Sequence, residues 1–282
     1  MSPMSESETF ASRDGSPLLV RRWPEPHEAR ATVLLVHGLG DHSGRFEAVG
    51  NRLLEADLVV DSFDLRGFGA SAGPRADVER WEDLLDDVED RFVASRRDGL
   101  AGVLYGHSVG GLLVCDYLRD PERPQPDLVV LSAPALGDRV SPLVRNAAPT
   151  LARVAPSLRL RNPMEPEEIS RDPAVAAAYA ADGLVERRTS IRLGAFAGAA
   201  QERVNEWIEA LSRFPVPALV LHGADDTIVP PESTEALGRL EGVERRLLPG
   251  VRHEPHSDPD WPAIVDSVAA WIVARLEATG AA

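Results

Sequence analysis

A single cysteine, Cys115, occurs in the 282 residues, so no internal disulfide can hold the chain together. On a helical pattern it packs as a small hydrophobe. No apolar run reaches the length of a membrane span. The opening stretch, Met1 to Arg13, is polar and acidic and lacks the charged-then-apolar order of a secretory signal. Residues 1–8 or so are therefore expected to be disordered, and the protein is expected in the cytoplasm. Basic charge is also short: Lys and Arg total 30 against 45 Asp and Glu, a net charge of -15. That balance repels nucleic acid and favours solubility, which removes nucleic acid from the partners to consider. Internal repeats and low-complexity segments are missing too. What the chain does have is a 44% hydrophobic content, enough for a substantial core in one large domain or two small ones.

The stretch that organises the chain runs from Leu100 to Val114: an apolar run, then Gly106-His107-Ser108-Val109-Gly110-Gly111, then more apolar residues with no turn signal. This order suits a buried strand, a very tight turn and a buried helix. A serine at the tip of such a turn takes strained backbone angles, so its neighbours two positions away must be small. Gly106 and Gly110 fill those positions. The turn exposes the hydroxyl, aims a helix N-terminus at the reacting atom and lets the Val109 N–H donate to an oxyanion. A bare G-x-S-x-G arises by accident in roughly one chain in ten of this length. The serine therefore needs partners before the motif carries weight.

Strand patterns fall at Leu18–Trp23, Ala31–Val36, Leu58–Phe63, Leu128–Leu131, Ala218–Leu221 and Glu244–Leu248, with the strand of the turn between the third and fourth. Helical spacing falls between them, near 46–55, at Val78–Phe92, after Ser108, near 232–240 and near 262–276. Alternation of this kind implies a parallel sheet covered on both faces. It stops over Ala135–Phe214, where helical patterns occur without a strand pattern and Pro149, Pro156 and Pro163 should break the region into short helices. The domain reading is one discontinuous core, residues 1–134 and 215–282, with a helical cap insertion over 135–214.

A serine hydroxyl needs a base, and the base needs an orienting carboxylate. In an open parallel sheet both are expected in loops just after strands. One such loop contains Asp225 and Asp226, and the last contains His253 and His256. With Ser108 they give the order Ser, Asp, His of an α/β-hydrolase. A metal reading of the histidines fails on spacing: His253-Glu254-Pro255-His256 is not H-E-x-x-H, and Pro255 prevents a regular helix. The second oxyanion donor is expected from the loop after Val36, with the Leu39 N–H the choice and His37 and His42 bracing the loop.

On these residues the chain resembles the monoacylglycerol lipase and lysophospholipase group of α/β-hydrolases. His37-Gly38-Leu39-Gly40-Asp41-His42-Ser43-Gly44-Arg45-Phe46 is similar to the group's H-G-x-G-E-H-S-x-R-Y segment. Gly106 to Gly111 is similar to its G-H-S-M-G-G turn. Ile169-Ser170-Arg171-Asp172-Pro173 with Tyr179 and Asp182-Gly183-Leu184 resembles its cap pattern, and the later loops match G-x-x-D-x-[IL]-V and G-x-x-H-E. The resemblance selects Asp226 over Asp225 and His253 over His256. It implies a mostly parallel eight-stranded sheet with helices on both faces, a helical cap, and no cofactor or metal. It also implies hydrolysis of a fatty-acyl ester through an acyl-serine, most readily a monoacylglycerol. Lysophospholipid and short-ester hydrolysis are the near alternatives; aminopeptidase activity and non-catalytic binding are the distant ones. Asp41 and Arg45, and with them Tyr179 and His256, match positions on the polar head-group side. Asp41 in place of Glu, Val109 in place of Met and Gly183 in place of Pro depart from the pattern without removing a catalytic atom.

Five arginines between Arg139 and Arg161 alternate with Leu143, Val144, Leu151, Val154 and Leu158. Such a stretch in an acidic protein suits transient contact with an anionic lipid surface. The favoured reading is nonetheless a cap helix that packs its apolar face inward and leaves the arginines solvated.

Overall fold

The runs Ala31–Val36 (β3), Leu58–Phe63 (β4) and Leu128–Ser132 (β6) are buried along their whole length, so the sheet they form must be covered on both sides. The computed structural model of the chain describes residues 5–279. In chain order the elements before the insertion are β1 (Glu6–Ala11), β2 (Pro17–Arg22), β3, α1 (Glu47–Leu54), β4, α2 (Trp81–Ser95), β5 (Ala101–His107), α3 (Val109–Leu118) and β6. The insertion carries α4 (Pro142–Val154), β7 (Arg159–Arg161), α5 (Pro173–Ala181), β8 (Arg188–Ser190) and α6 (Ile191–Ala210). The chain then closes with β9 (Arg213–Gly223), α7 (Glu235–Gly238), β10 (Glu241–Leu248) and α8 (Trp261–Thr279). Eight strands make the main sheet in the order β1-β2-β4-β3-β5-β6-β9-β10. Pairings from β4 through β10 are parallel, and β1 and β2 add an antiparallel edge.

Side chains alternate across β3: Leu34 and Val36 face one core, Val33 and Leu35 the other. The first core takes in Val88 and Phe92 of α2, Leu112 and Leu113 of α3, and Val204 and Ile208 of α6. The second takes in Val49 and Leu53 of α1 and Val265, Val268 and Ile272 of α8.

Several expectations need correction. Glu6 to Glu8 belong to β1, paired with Arg22 to Val20, where disorder is expected from composition; residues 1–4 lie outside the described residues. The strand is polar and exposed except at Phe10, so it shows no alternation, and pairing with β2 is what orders it. The insertion contains a short antiparallel pair, β7 with β8, too brief at three residues each to leave a pattern. Pro149 lies inside α4 instead of ending it, since one missing N–H bends a helix before it breaks it. The 232–240 pattern resolves into a 3-10 turn at Pro231–Thr234 and the single turn of α7.

Candidate active site

Ser108 occupies the turn between β5 and α3 with φ 52° and ψ -119°, backbone angles that a non-glycine residue rarely takes. The turn closes because two neighbours lack side chains. A Cβ on Gly106 would lie 2.5 Å from the Gly110 carbonyl oxygen, and one on Gly110 would lie 2.2 Å from that of Val36. Ser108 therefore stands at the end of the sheet with the N-terminus of α3 behind it. Neither the Val109 nor the Leu39 amide donates to another described residue, and both residues line the cavity above the serine.

The loops after β9 and β10 bring two groups to this serine. His253 Nε2 is 3.0 Å from Ser108 Oγ, and His253 Nδ1 is 2.7 Å from Asp226 Oδ2. A ring nitrogen facing a carboxylate carries the proton, so Nδ1–H donates to Asp226 and Nε2 accepts from the Ser108 hydroxyl. Asp226 is 5% exposed, and burial alone would raise its pKa. His253, His222 and the Val229 N–H overcome that and hold it well below the usual carboxylate range. Its Oδ1 accepts from the Ile228 and Val229 amides at 2.8 and 2.9 Å. Asp225 is exposed and makes no such contact. His256 instead stacks on Phe46 with ring centres 4.6 Å apart, edge-on to His107.

His37 braces the loop after β3. Its Nδ1–H donates to the Gly38 carbonyl at 2.8 Å and its Nε2 accepts from the Leu65 amide at 2.9 Å. His42 reaches outward, with Nε2 2.9 Å from Asp182 Oδ2 in the insertion. The Glu186 amide donates to the Gly40 carbonyl at 2.8 Å beside it, so the loop carrying Leu39 is tied to the insertion at two points.

A cavity of about 220 Å³ lies over Ser108 and His253. Strand-end loops supply its floor, and residues of the insertion such as Asn162, Met164, Tyr179, Gly194 and Gly198 supply its roof. Its wall is mostly apolar. Of the four head-group positions, Asp41 and Tyr179 reach this wall, whereas Arg45 and His256 stand behind it. Arg45 forks onto Glu254 at 2.7 and 2.8 Å and reaches Asp41 Oδ1 at 3.1 Å, with the Tyr179 ring over its guanidinium. Asp41 Oδ2 is left buried with no hydrogen-bond partner.

Comparison with known proteins fits this geometry. The profile of the family described as serine aminopeptidase, S33, matches residues 27–260. A monoacylglycerol lipase of Mycolicibacterium smegmatis is 31% identical, covering 95% of this chain and 97% of its own. The chain belongs to this family of α/β-hydrolases. Human monoglyceride lipase is 29% identical over 99% of this chain and 94% of its own. The crystal structure of a Paleococcus ferrophilus monoacylglycerol lipase superposes with a TM-score of 0.81 at 31% identity, covering 91% of this chain and 98% of that one.

Two residues of the hydrolase escape sequence reasoning. His222 is fully buried behind the carboxylate: its Nε2 lies 3.2 Å from Asp226 Oδ2 and 3.0 Å from the Val229 carbonyl, and its Nδ1 faces Thr234 Oγ1 at 3.3 Å. Its signal is its place at the end of β9, four residues before Asp226. Glu254 adjoins His253, and burial would raise its carboxyl, but Arg45 overrides burial and holds it well below the usual range. His107, Glu254 and His256 also converge as a buried group of possible metal donors, which H-E-x-x-H spacing does not foresee. Both Glu254 oxygens already accept from Arg45, so the carboxylate of that group is engaged by a cation of the chain itself.

Proposed function

We propose that this hydrolase cleaves the ester of a monoacylglycerol to glycerol and a fatty acid, with Ser108, His253 and Asp226 as its catalytic residues. The observation that carries the reading is an apolar cavity with Ser108, hydrogen-bonded to His253, at its floor. An acyl chain fits the apolar part, and Asp41 and Tyr179 on the wall are placed to meet the polar end of the ester. The similarity to monoacylglycerol lipases from bacteria, archaea and humans supports the same substrate.

The steps follow from the tautomer. His253 Nε2 takes the Ser108 proton as Oγ attacks the ester carbonyl, and Asp226 stabilises the imidazolium that forms. The Leu39 and Val109 amides hold the oxyanion. Protonated His253 delivers its proton to the departing glycerol oxygen, leaving an acyl-serine. Water enters, loses its proton to His253 and attacks the acyl carbon, and the fatty acid leaves as Ser108 is restored.

The insertion acts in this reading as a cap that excludes water from the acyl chain. It also favours contact with a lipid surface. Leu143 and Val154 are each 80% exposed, and Val144 and Leu151 stand out with them. Inward packing of α4, the reading favoured from sequence, holds in that the helix lies against α6, but it leaves these larger side chains uncovered. Arg139, Arg145, Arg159 and Arg161 are paired with Glu168, Asp138, Glu186 and Glu165, so apolar area and not charge drives the contact.

The test is release of fatty acid from monoolein, lysophosphatidylcholine and triolein, of p-nitrophenol from a short p-nitrophenyl ester and of p-nitroaniline from an aminoacyl p-nitroanilide, by wild type and Ser108→Ala. The expected result is strongest turnover of monoolein, with kcat reduced by about 10⁴-fold or more in the variant. Turnover of the anilide alone would overturn the ester reading, and retained activity in Ser108→Ala would overturn the site.

A further inference from the structure

Helix α6 shows two faces. Leu193, Ala200, Val204 and Ile208 are buried in the core, while Gly194, Ala197, Gly198 and Gln201 line the cavity. Their spacing of three and four places the second set on one stripe of the helix. Two of the four are glycines in the interior of a 20-residue helix, where glycine is unfavourable by about 1 kcal/mol relative to alanine.

Neither glycine is demanded by the backbone or by close packing. Neither has a positive φ. A Cβ built on Gly194 meets nothing within 4 Å, and one on Gly198 meets only Arg145 Nη1, at 3.9 Å. The contrast with Gly106 and Gly110, where a Cβ would strike backbone, is complete. What the two glycines keep open is the cavity itself.

The stripe has a direction. Gln201 Nε2 donates to the Ala135 carbonyl at 2.9 Å, and the Ala135 amide donates to the Ser108 carbonyl at 2.9 Å, so the Gln201 end adjoins the nucleophile. Gly198 is half-buried and Gly194, one turn further, is exposed. At 1.5 Å per residue the stripe from Gln201 to Gly194 is about 10 Å long. The same wall carries Leu39, Val109 and His253, so the stripe and the reacting serine share one mostly apolar cavity.

We propose that Gly198 and Gly194 set the acyl-chain specificity of this enzyme, Gly198 by admitting the middle of the chain and Gly194 by leaving its far end open. The inference rests on the acyl-ester reading above and deepens it to a substrate class. An apolar cavity of about 150 Å³ accepts benzene, so about 220 Å³ holds roughly eight or nine heavy atoms of the ester and its chain together. Medium-chain acyl esters fill the enclosed space, and longer chains pass out beside Gly194.

The test is kcat/KM for p-nitrophenyl esters of two, four, eight, twelve and sixteen acyl carbons, with wild type, Gly198→Leu, Gly194→Leu and the two alanine variants. A Cβ fits at both positions and alanine is a better helix former than glycine, so the alanine variants should each raise Tm by a few degrees, and a Tm beside each leucine variant checks its fold. The result expected in Gly198→Leu is a fall of at least tenfold in the ratio of eight-carbon to two-carbon kcat/KM. In Gly194→Leu the eight-carbon ratio should hold within a factor of three while the sixteen-carbon ratio falls at least tenfold. Equal changes at every chain length, or the two variants acting in reverse order, would overturn the proposal. Wild type that hydrolyses this series but not monoolein would overturn the monoacylglycerol reading and leave the chain-length test standing.

Discussion

Glu254 carries its charge beside the proposed catalytic histidine only because Arg45 forks onto both its oxygens. At 3% exposure the carboxylate has little water to replace that partner. Removing one member of a buried ion pair costs about 3–5 kcal/mol. Glu254→Gln keeps one carbonyl oxygen for Arg45, which also retains Asp41, so the cost should lie near 3 kcal/mol at pH 7. The sign of the pH dependence follows from the lowered pKa of Glu254. Such a group stabilises fully above its unfolded pKa of about 4.3, and that contribution is lost as pH falls toward the folded value. Urea unfolding should therefore give a constant gap between wild type and variant from pH 7 to pH 5.5 and a narrowing one below about pH 4. A gap under about 1 kcal/mol at pH 7, or one that ignores pH, would contradict the role given to the pair. Ser108 and the two loops that face it are legible in the sequence because each is a glycine-marked loop directly after a strand, whereas the choice of Asp226 over Asp225 and of His253 over His256 needs the family resemblance. Glu254 is not, since nothing near a glutamate reveals that an arginine 209 residues earlier faces it.

Among the elements, α4 departs furthest from what its sequence suggests. It lies against α6, yet its larger apolar residues Leu143, Val144, Leu151 and Val154 are exposed, Leu143 and Val154 each at 80%. Apolar area of this kind lies into the headgroup boundary of a bilayer and gains roughly 25 cal/mol for each Å² removed from water. Because most neighbouring arginines are already paired, vesicle association should depend on these side chains more than on lipid charge. Co-sedimentation with phosphatidylcholine vesicles should fall at least fivefold in Leu143→Asp/Val154→Asp, while adding anionic lipid should change wild type by less. No binding to either vesicle would end the membrane reading, and binding to anionic vesicles alone would return it to the arginines. The buried parallel strands are legible because β-branched and leucine-rich runs leave few other choices; β3 and β4 match residue for residue. The edge strand β1 and the β7–β8 pair are not, because their order comes from a partner strand and not from any pattern of their own.

Across the whole molecule the excess of acid competes with the ion pairs. All 30 basic residues are arginine, and no lysine occurs in the sequence. Guanidinium forks match carboxylates two oxygens at a time, as in Arg52 with Asp266 and Arg66 with Asp87. Many of these pairs are exposed, such as Arg80–Asp83 and Arg213–Glu241. Exposed pairs contribute about 0–1 kcal/mol each and weaken with salt. Against them stands a net charge of -15 confined to a body with a radius of gyration of about 19 Å. In about 0.01 M salt the Debye length is about 30 Å, so every unmatched carboxylate feels the others. Near 0.3 M it is only a few Å, and that mutual repulsion is gone while the buried Arg45–Glu254 and Arg91–Asp61 pairs are scarcely touched. Long-range repulsion loses more to screening than short, partly shielded forks do. Thermal unfolding should therefore shift to higher temperature, by several degrees, as sodium chloride rises over that range. A fall in Tm instead would mean that the surface arginine forks, and not the excess negative charge, dominate the electrostatics of the folded state.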